Sequence, residues 1–235
     1  MAPFSLWDVR SDVFQFRDRM TEPARLYLMT PVLADASFAP KLAEACEGGA
    51  VAAVLLRLAA ADERSLINLV KALAPSAQER GAAVIVATDG DADIANVAVR
   101  GGADGAHVAG ADPAQIRELR DRLKAERAIG AGHIRTKDDA MTLGEAGVDY
   151  LLFGEPRRDG SLPSLESVAE RAAWWAEIFE TPCVAYAPSL EAVEPLAATQ
   201  AEFIALGDAV WNHPDGPAAA VKAAGGILRK AEASH

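Results

Sequence analysis

Cysteine and aromatic residues are scarce in this chain of 235 residues. Two cysteines, Cys46 and Cys183, are too few for a disulfide framework or a cysteine metal site, so we expect two small buried thiols in a reducing compartment. Aromatic residues make up 6%, and aliphatic side chains must therefore fill most of the core. The sequence contains no run of about 18 apolar residues, so it predicts no transmembrane helix. Residues 1–20 lack the continuous hydrophobic stretch of a signal peptide. These features predict a cytoplasmic protein.

Basic residues are also in the minority. The chain has 23 Lys and Arg against 34 Asp and Glu, which gives a net charge of −11. Such a surface repels phosphate backbones, so we expect no nucleic-acid partner, and nothing in the pattern predicts membrane binding. Any phosphate site must be local and built from a few arginines or backbone amides. The expected partner is a phosphorylated small molecule, and a homo-oligomer is left open.

Short apolar runs alternate with longer helical patterns along the chain. The runs do not alternate cleanly between apolar and polar residues, which is typical of strands that are covered on both faces. Strand candidates are 25–29, 51–56, 83–87, 105–108, 128–131, 150–153, 183–186 and 203–206. Helix candidates lie near 37–47, 63–80, 93–101, 113–124, 137–146, 165–179, 190–198 and 216–232.

Eight strand–helix units in strict order predict the fold. Short strands that are joined by helical crossovers must be parallel, and the crossovers right-handed. The expected architecture is an α/β protein with a single (β/α)8 barrel of the TIM type, over residues 23–235, preceded by a lead-in helix over residues 1–22. An open doubly wound sheet is the structural alternative.

In such a barrel the functional groups lie on the loops that follow the strands. Asp89, Asp91 and Asp112 follow neighbouring strands and form a candidate Mg²⁺ site, because Mg²⁺ takes one or two carboxylates together with phosphate oxygens. Two of these acids also have an ordinary explanation. Asp89 stands in a common Asp-Gly turn pair, and Asp112 precedes Pro113 as a helix N-cap would.

Arg57 and His107 also end predicted strands. Arg57 closes an apolar run where a lone charge needs an anionic partner, which is either a ligand or a neighbouring acid of the rim. His107 stands among small residues that leave room for a ligand, and a backbone carbonyl is the alternative partner for its ring. No Ser-His-Asp or Cys-His pattern predicts nucleophilic catalysis.

Four segments of the sequence resemble a known family. They are 26–30 (LYLMT), 54–57 (VLLR), 102–108 (GADGAHV) and 147–154 (GVDYLLFG). The third is very close to the Gly-Ala-Asp-Gly-Val-His-Leu of the thiamine-phosphate synthase family, which includes the thiazole tautomerase branch. The fourth resembles that family's Gly-Ala-Asp-Tyr-Val-Gly-Phe-Gly. The resemblance runs from about Leu26 to Ala209.

The resemblance implies an activity and roles for particular residues. Members of the family join an aminopyrimidine diphosphate to a thiazole phosphate and release pyrophosphate with the help of Mg²⁺, mostly by charge stabilisation and positioning. By the same resemblance Arg57 would contact the diphosphate, and Thr136 would replace the family's hydroxyl residues. The candidate site comprises catalytic His107 and Arg135, substrate-binding Arg57, Thr136, Gly154, Arg157 and Gly207, and metal-binding Asp89 and Asp112.

The departures from the family pattern fall on the phosphate contacts. The Gln that precedes the family's strand-2 arginine is Leu55 in this chain, and the turn Ala-Ile-Gly-Gly-Ile after the seventh strand reads AYAPS over residues 185–189. Tyr186 adds bulk there, and Pro188 removes a backbone donor. We therefore expect a degenerate phosphate site with weak or absent thiamine-phosphate synthesis.

Three functional hypotheses follow from these departures. In the first, the chain is an enzyme of the thiamine-phosphate synthase class in which Arg135, Arg157 and Arg158 replace the lost phosphate contacts. In the second, it is a non-catalytic barrel of the same descent that binds a small anionic ligand or a protein partner. In the third, it is a tautomerase-like isomerase with His107 or His133 as the proton carrier.

Overall fold

Eight parallel strands close into a barrel in the computed structural model, which describes residues 23–110, 112–157 and 159–232. Each strand pairs with the next, and β8 pairs with β1. The strands are β1 (Arg25–Leu33), β2 (Val51–Leu58), β3 (Ala83–Thr88), β4 (Gly105–Ala109), β5 (Ala128–Gly132), β6 (Tyr150–Phe153), β7 (Cys183–Ala187) and β8 (Phe203–Leu206). The predicted (β/α)8 barrel is confirmed. The open sheet is wrong, because β8 and β1 leave no free edge.

Helices follow the strands as the sequence predicts. They are α1 (Ala39–Glu47), α2 (Glu63–Gln78), α3 (Ile94–Gly101), α4 (Pro113–Leu123), α5 (Lys137–Glu145), α6 (Leu165–Ile178), α7 (Val193–Ala197), α8 (Asp208–Trp211) and α9 (Pro217–Glu232). The short helix α8 is an addition that the sequence does not predict. The lead-in helix predicted for residues 1–22 lies outside the described residues. None of the helices in the described ranges has the length and apolar character needed to cross a membrane.

Two separate apolar cores hold the barrel together. The inner core carries the large rings, including Tyr27, Tyr150 and Phe203, together with aliphatic residues such as Leu55 and Ile85. The outer core lies between the strands and the helices and consists mainly of Ala, Val, Leu and Ile. Both cysteines are buried and free, as predicted. A packed interior leaves the ends of the barrel as the places where a ligand reaches inward-facing side chains.

Acidic side chains connect neighbouring strands at the amino-terminal end of the barrel. Each acid stands just before an even-numbered strand and accepts the backbone N–H of a residue at the start of the preceding strand. The pairs are Asp104 with Val84 at 2.8 Å, Asp149 with Ile129 at 2.6 Å and Glu202 with Cys183 at 2.8 Å. The Asp residues of the two Gly-x-Asp motifs therefore stabilise the barrel and lie far from its carboxyl-terminal opening.

Candidate active site

The mouth of the barrel, meaning the opening at the carboxyl ends of the strands, receives side chains from several inward positions. Successive strand residues point to opposite faces, so residues two apart share a face. Arg57 follows the inward-facing Ala53 and Leu55 and therefore faces the interior at the end of β2. Asp112 and Arg135 follow the carboxyl ends of β4 and β5, and His107 within β4 places its Nε2 beside Gly132, the last residue of β5. The predicted site residues thus share one end of the barrel.

A chain of buried polar side chains leads up the inside of the barrel to His107. The hydroxyl oxygen of Tyr27 lies 2.8 Å from that of Tyr150, which lies 3.0 Å from His107 Nδ1. Burial, with a smaller effect of His133, lowers the pKa of His107 to about 3, so its ring is neutral at physiological pH. Burial raises the pKa of both tyrosines, which keep their protons. The partner of His107 Nδ1 is thus a hydroxyl, and the backbone carbonyl considered above is wrong.

The hydrogen-bond partners of the buried hydroxyls favour one tautomer of His107. Within the described ranges, Tyr150 is the one hydrogen-bond partner of the Tyr27 hydroxyl, so Tyr27 is satisfied when it donates to Tyr150. We infer that Tyr150 then donates to His107 Nδ1 and that the imidazole proton is on Nε2. This Nε2 lies 2.8 Å from the place that a Cβ atom on Gly132 would occupy. The His107 Nε2–H group therefore faces the mouth beside a position that only glycine leaves open.

Glu155 is a second buried polar residue at the mouth, with 8% of its surface exposed. Its Oε1 accepts the backbone N–H of His133 and also touches the place of a Cβ on Gly132. Burial raises the pKa of Glu155 to about 7, although the His133 amide and the charges of Arg171 and Arg57 lower it. The carboxyl group therefore titrates near neutral pH, as an acid–base or ligand-binding group does.

Arg57 brings an open positive charge to the mouth. Its backbone N–H donates to Thr30 Oγ1 at 3.0 Å, which fixes the end of β2. The guanidinium has no hydrogen bond or ion pair with any of the described residues, so the salt bridge to a rim acid is not formed. Its charge partly offsets the rise in pKa that burial causes in Glu155 and in Tyr186. A cation in this place is available to an anionic ligand.

Tyr186 fills the space at the ends of β7 and β8. Its side chain is 3% exposed, and its hydroxyl oxygen lies 2.8 Å from the place of a Cβ on Gly207. Burial and the carboxylate of Asp208 raise the pKa of Tyr186. TIM barrels frequently bind phosphate at these two loops and at a short extra helix. In this chain the short helix α8 begins with an acid, Asp208.

An open groove of about 1200 Å³ lies over the loops that follow β4, β5 and β6. Arg135, Arg157 and Arg171 line it together with His133 and Glu155. Arg171 donates to the carbonyl oxygens of Ile134 at 2.9 Å and Arg135 at 3.0 Å. Arg157 donates to Ser161 Oγ at 3.1 Å, and the Arg135 side chain is exposed. Arg158, the third arginine invoked from the sequence, lies outside the described residues.

The predicted metal ligands lie on neighbouring loops. Asp89 is exposed after β3. Asp112 is the N-cap of α4, and its Oδ1 accepts the N–H groups of Ala114 at 2.7 Å and Gln115 at 3.0 Å. No group of three or more His, Cys, Asp or Glu side chains within the described ranges could hold a metal ion. A Mg²⁺ ion would therefore need phosphate oxygens and water beside these two carboxylates.

Two further predicted residues have structural tasks. Thr136 is the N-cap of α5, where its hydroxyl accepts the Asp139 N–H and the Asp139 carboxylate accepts the Thr136 N–H, both at 3.0 Å. Gly154 ends β6 with a φ of 95° against the side chain of Val168. Thr136 has to share its hydroxyl between this cap and any ligand.

Three residues of the site are not assigned a role from the sequence. Tyr27 and Tyr150 stand at inward positions, and reading β1 and β6 with a period of two finds them. The same rule fails for Glu155. A period of two points residues 150, 152 and 154 inward and Glu155 outward. In the structure, the positive φ of Gly154 turns the chain and brings Glu155 back over the barrel.

Comparisons with known proteins agree with this geometry. The family model described as thiamine monophosphate synthase matches residues 26–210. A thiamine-phosphate synthase from Rhodospirillum centenum is 38% identical over 208 residues, covering 87% of this chain and 98% of that protein. One from Hyphomonas neptunium is 35% identical over 210 residues, with 85% and 91% covered. A solved structure of thiamine phosphate pyrophosphorylase from Pyrococcus furiosus has a TM-score of 0.71 at 22% identity, with 91% and 98% covered.

The solved structure supports the fold, and the two relatives extend the agreement to nearly their whole length. The segments that carry the resemblance in the sequence, 26–30, 54–57, 102–108 and 147–154, all lie within the matched region. The chain therefore belongs to the thiamine-phosphate synthase family.

Proposed function

We propose that this protein binds an aminopyrimidine diphosphate at the mouth of the barrel and couples it to a thiazole phosphate, releasing pyrophosphate. The observation that supports this activity is Arg57, whose half-buried guanidinium faces the mouth and forms no ion pair within the described ranges. Relatives named thiamine-phosphate synthase match most of this chain, which supports the same reaction. The cytoplasmic location expected from the sequence belongs to this proposal.

The residues of the mouth act by charge and position. Arg57 would hold the diphosphate and stabilise the negative charge that grows on it as the bond to the pyrimidine breaks. Arg135 and Arg157 line the neighbouring groove and offer further positive charge to a phosphate group. His107 is neutral and buried, so it positions a ligand by hydrogen bonding and adds no charge. Bringing two ring systems together in this way supplies most of the catalysis.

The donor chemistry of Asp89 and Asp112 fits a Mg²⁺ ion. Both are carboxylates on adjacent loops, and the hydrogen bonds of Asp112 to its helix are both made by Oδ1, which leaves Oδ2 for another partner. Mg²⁺ binds through one or two carboxylates and completes its shell with phosphate oxygens and water. When bound, the ion would neutralise charge on the diphosphate.

The decisive experiment supplies both phosphorylated precursors with Mg²⁺ and follows thiamine phosphate and pyrophosphate. We expect product that requires both precursors, formed more slowly than in a family member that keeps the Gly-Gly turn. Losing one preorganised donor costs about a hundredfold in rate. No product under these conditions overturns the synthase proposal, and turnover at an ordinary family rate overturns the degenerate phosphate site.

A second candidate is a non-catalytic barrel that binds a small anion. Tyr186 favours this function, because its ring occupies the space beside Gly207 where a phosphate would meet the loop after β8. Calorimetry with inorganic pyrophosphate separates the two candidates. Pyrophosphate binding without product formation supports the non-catalytic barrel, and product formation excludes it.

A further inference from the structure

Two buried hydrogen-bonding side chains stand beside Gly132 at the mouth. His107 and Glu155 are 7% and 8% exposed, so both are more than nine-tenths buried. His107 Nε2 and Glu155 Oε1 both touch the place that a Cβ on Gly132 would occupy. His107 Nε2 has no hydrogen-bond partner within residues 23–110, 112–157 and 159–232, and the Glu155 carboxylate accepts only the backbone N–H groups of His133 and of Glu155 itself there. Buried polar groups with unused hydrogen-bonding capacity are rare in native proteins, so these two side chains point to a ligand.

The two side chains present complementary hydrogen-bonding roles. The tautomer derived above makes His107 Nε2–H a donor, and the ionised carboxylate of Glu155 is an acceptor. A ligand edge that satisfies both must carry a lone pair beside an N–H group. A pyrimidine with an amino group next to a ring nitrogen has such an edge, because the ring nitrogen accepts and the amino group donates. An oxo group in place of the amino group reverses both roles.

The sequence strengthens the case for these two residues. Leu55 stands where the family has Gln before the strand-2 arginine. Leu55 is apolar and belongs to the inner core, so it offers no polar contact to a heterocycle. Glu155 and His107 are buried polar residues at the mouth and can supply such a contact.

We propose that Glu155 and His107 form the subsite that binds the amino-substituted edge of the pyrimidine ring, with Glu155 setting the preference for an amino over an oxo substituent. This inference rests on the proposed function, which supplies the aminopyrimidine. Glu155 would act by positioning and selecting the substrate, and it takes no part in bond breaking.

The experiment measures binding by calorimetry with three probes. They are the diphosphate of a 4-amino-5-hydroxymethylpyrimidine, its 4-oxo analogue and inorganic pyrophosphate. In the wild type we expect the amino probe to bind about tenfold or more tightly than the oxo probe. Glu155→Gln keeps an oxygen acceptor for the His133 amide and leaves an NH2 donor for the ligand in place of a carboxylate oxygen, so the preference for the amino probe should be lost or reversed. Pyrophosphate affinity should stay unchanged.

Two further variants complete the test. Glu145→Gln, at an exposed position near the end of α5, is the matched control and should keep the wild-type preference. His107→Leu removes the Nε2–H donor and should weaken the amino probe about tenfold without changing pyrophosphate binding. It keeps the inference testable if Glu155→Gln fails to fold, which thermal melting of each variant establishes.

A pH series separates this role from a structural one. The wild-type preference for the amino probe should increase from pH 6 to pH 8 as Glu155 ionises, and it should be flat in Glu155→Gln. The titratable and charged groups around Glu155 are His107, His133, Tyr27, Tyr150, Arg57 and Arg171, and the buffer series therefore needs the variant as its reference.

Each outcome decides the inference. An amino preference that survives in Glu155→Gln and His107→Leu overturns it and leaves the proposed function standing. An equal loss of affinity for all three probes shows a structural role and also overturns it. A wild type that binds pyrophosphate but neither pyrimidine overturns the inference together with the proposed function.

Discussion

The two ends of the barrel use the same contact, a carboxylate that accepts a backbone N–H, for different purposes. At the amino-terminal end, Asp149 accepts the N–H of Ile129 and also pairs with Arg120. At the mouth, Glu155 accepts the N–H of His133 but has no Lys or Arg at ion-pairing distance within the described ranges. Asp149 is a balanced, partly exposed charge, and Glu155 is a buried one whose pKa rises to about 7.

The difference separates stability from function. A carboxylate with an amide and a cation as partners stabilises the fold. A buried carboxylate without a cation destabilises the fold at neutral pH and is kept where a ligand supplies the missing partner. A single family motif serves both purposes, because Asp104 precedes β4 and accepts the Val84 N–H, whereas His107 within β4 places its Nε2 beside Gly132 at the end of β5.

The largest effect is expected at the mouth from Arg57→Ala. The variant removes the positive charge that the proposed function assigns to the diphosphate, so pyrophosphate affinity should fall about hundredfold in calorimetry. Its melting temperature should change little, because the guanidinium has no partner among the described residues. Arg100→Ala, at an exposed position on α3, is the control. Undiminished pyrophosphate binding in Arg57→Ala would place the anion elsewhere.

The opposite end should respond in stability and not in binding. Asp149→Ala leaves the Ile129 amide without its acceptor and the Arg120 guanidinium without its carboxylate, so urea unfolding should show a loss of about 2–3 kcal/mol. Asp138→Ala, at an exposed position in the first turn of α5, should stay within about 0.5 kcal/mol of the wild type. A large drop in pyrophosphate affinity of folded Asp149→Ala would contradict the division between the two ends.

Glu155 and His107 should have opposite effects on the pH dependence of stability. The pKa of Glu155 is raised from 4.5 to about 7, so its contribution falls as pH rises through that range. The pKa of His107 is lowered from 6.5 to about 3, so its contribution is lost as pH falls through that range. Between pH 4.5 and 6.5 the two slopes, each about 1.4 kcal/mol per pH unit, should cancel.

Unfolding of Glu155→Gln over this pH range tests the cancellation. With the Glu155 contribution removed, stability should rise with pH between 4.5 and 6.5 because the His107 slope remains. The variant should also exceed the wild type in stability at pH 8 by about 3 kcal/mol. A difference between variant and wild type that does not depend on pH would show that Glu155 is not buried as a titrating group.

The smallest effect is expected from Asp112→Asn, which separates a helix cap from a metal ligand. Asparagine caps a helix as well as aspartate does, so stability should change by less than about 0.5 kcal/mol. If Asp112 also holds Mg²⁺, the gain in pyrophosphate affinity on adding Mg²⁺ should shrink about tenfold. An unchanged response to Mg²⁺ would leave Asp112 with the cap alone.

The sequence by itself determined the barrel and the end at which the site lies. Eight short apolar runs between helical patterns require parallel strands, and parallel strands bring Arg57, His107 and Asp112 to one end. The position of Arg57 follows from the period of two along β2, since Ala53 and Leu55 already face inward. These properties depend on local periodicity, which a single sequence displays.

Only the tertiary structure decided which polar groups meet at the mouth. Tyr27, Tyr150 and His107 come from three different strands, and closure of the barrel brings them into hydrogen-bonding contact. Glu155 turns inward because Gly154 adopts a positive φ, which breaks the strand periodicity that a sequence reveals. Contacts between residues far apart in the chain depend on how the barrel closes, and a turn in the left-handed region changes side-chain direction without a periodic signal.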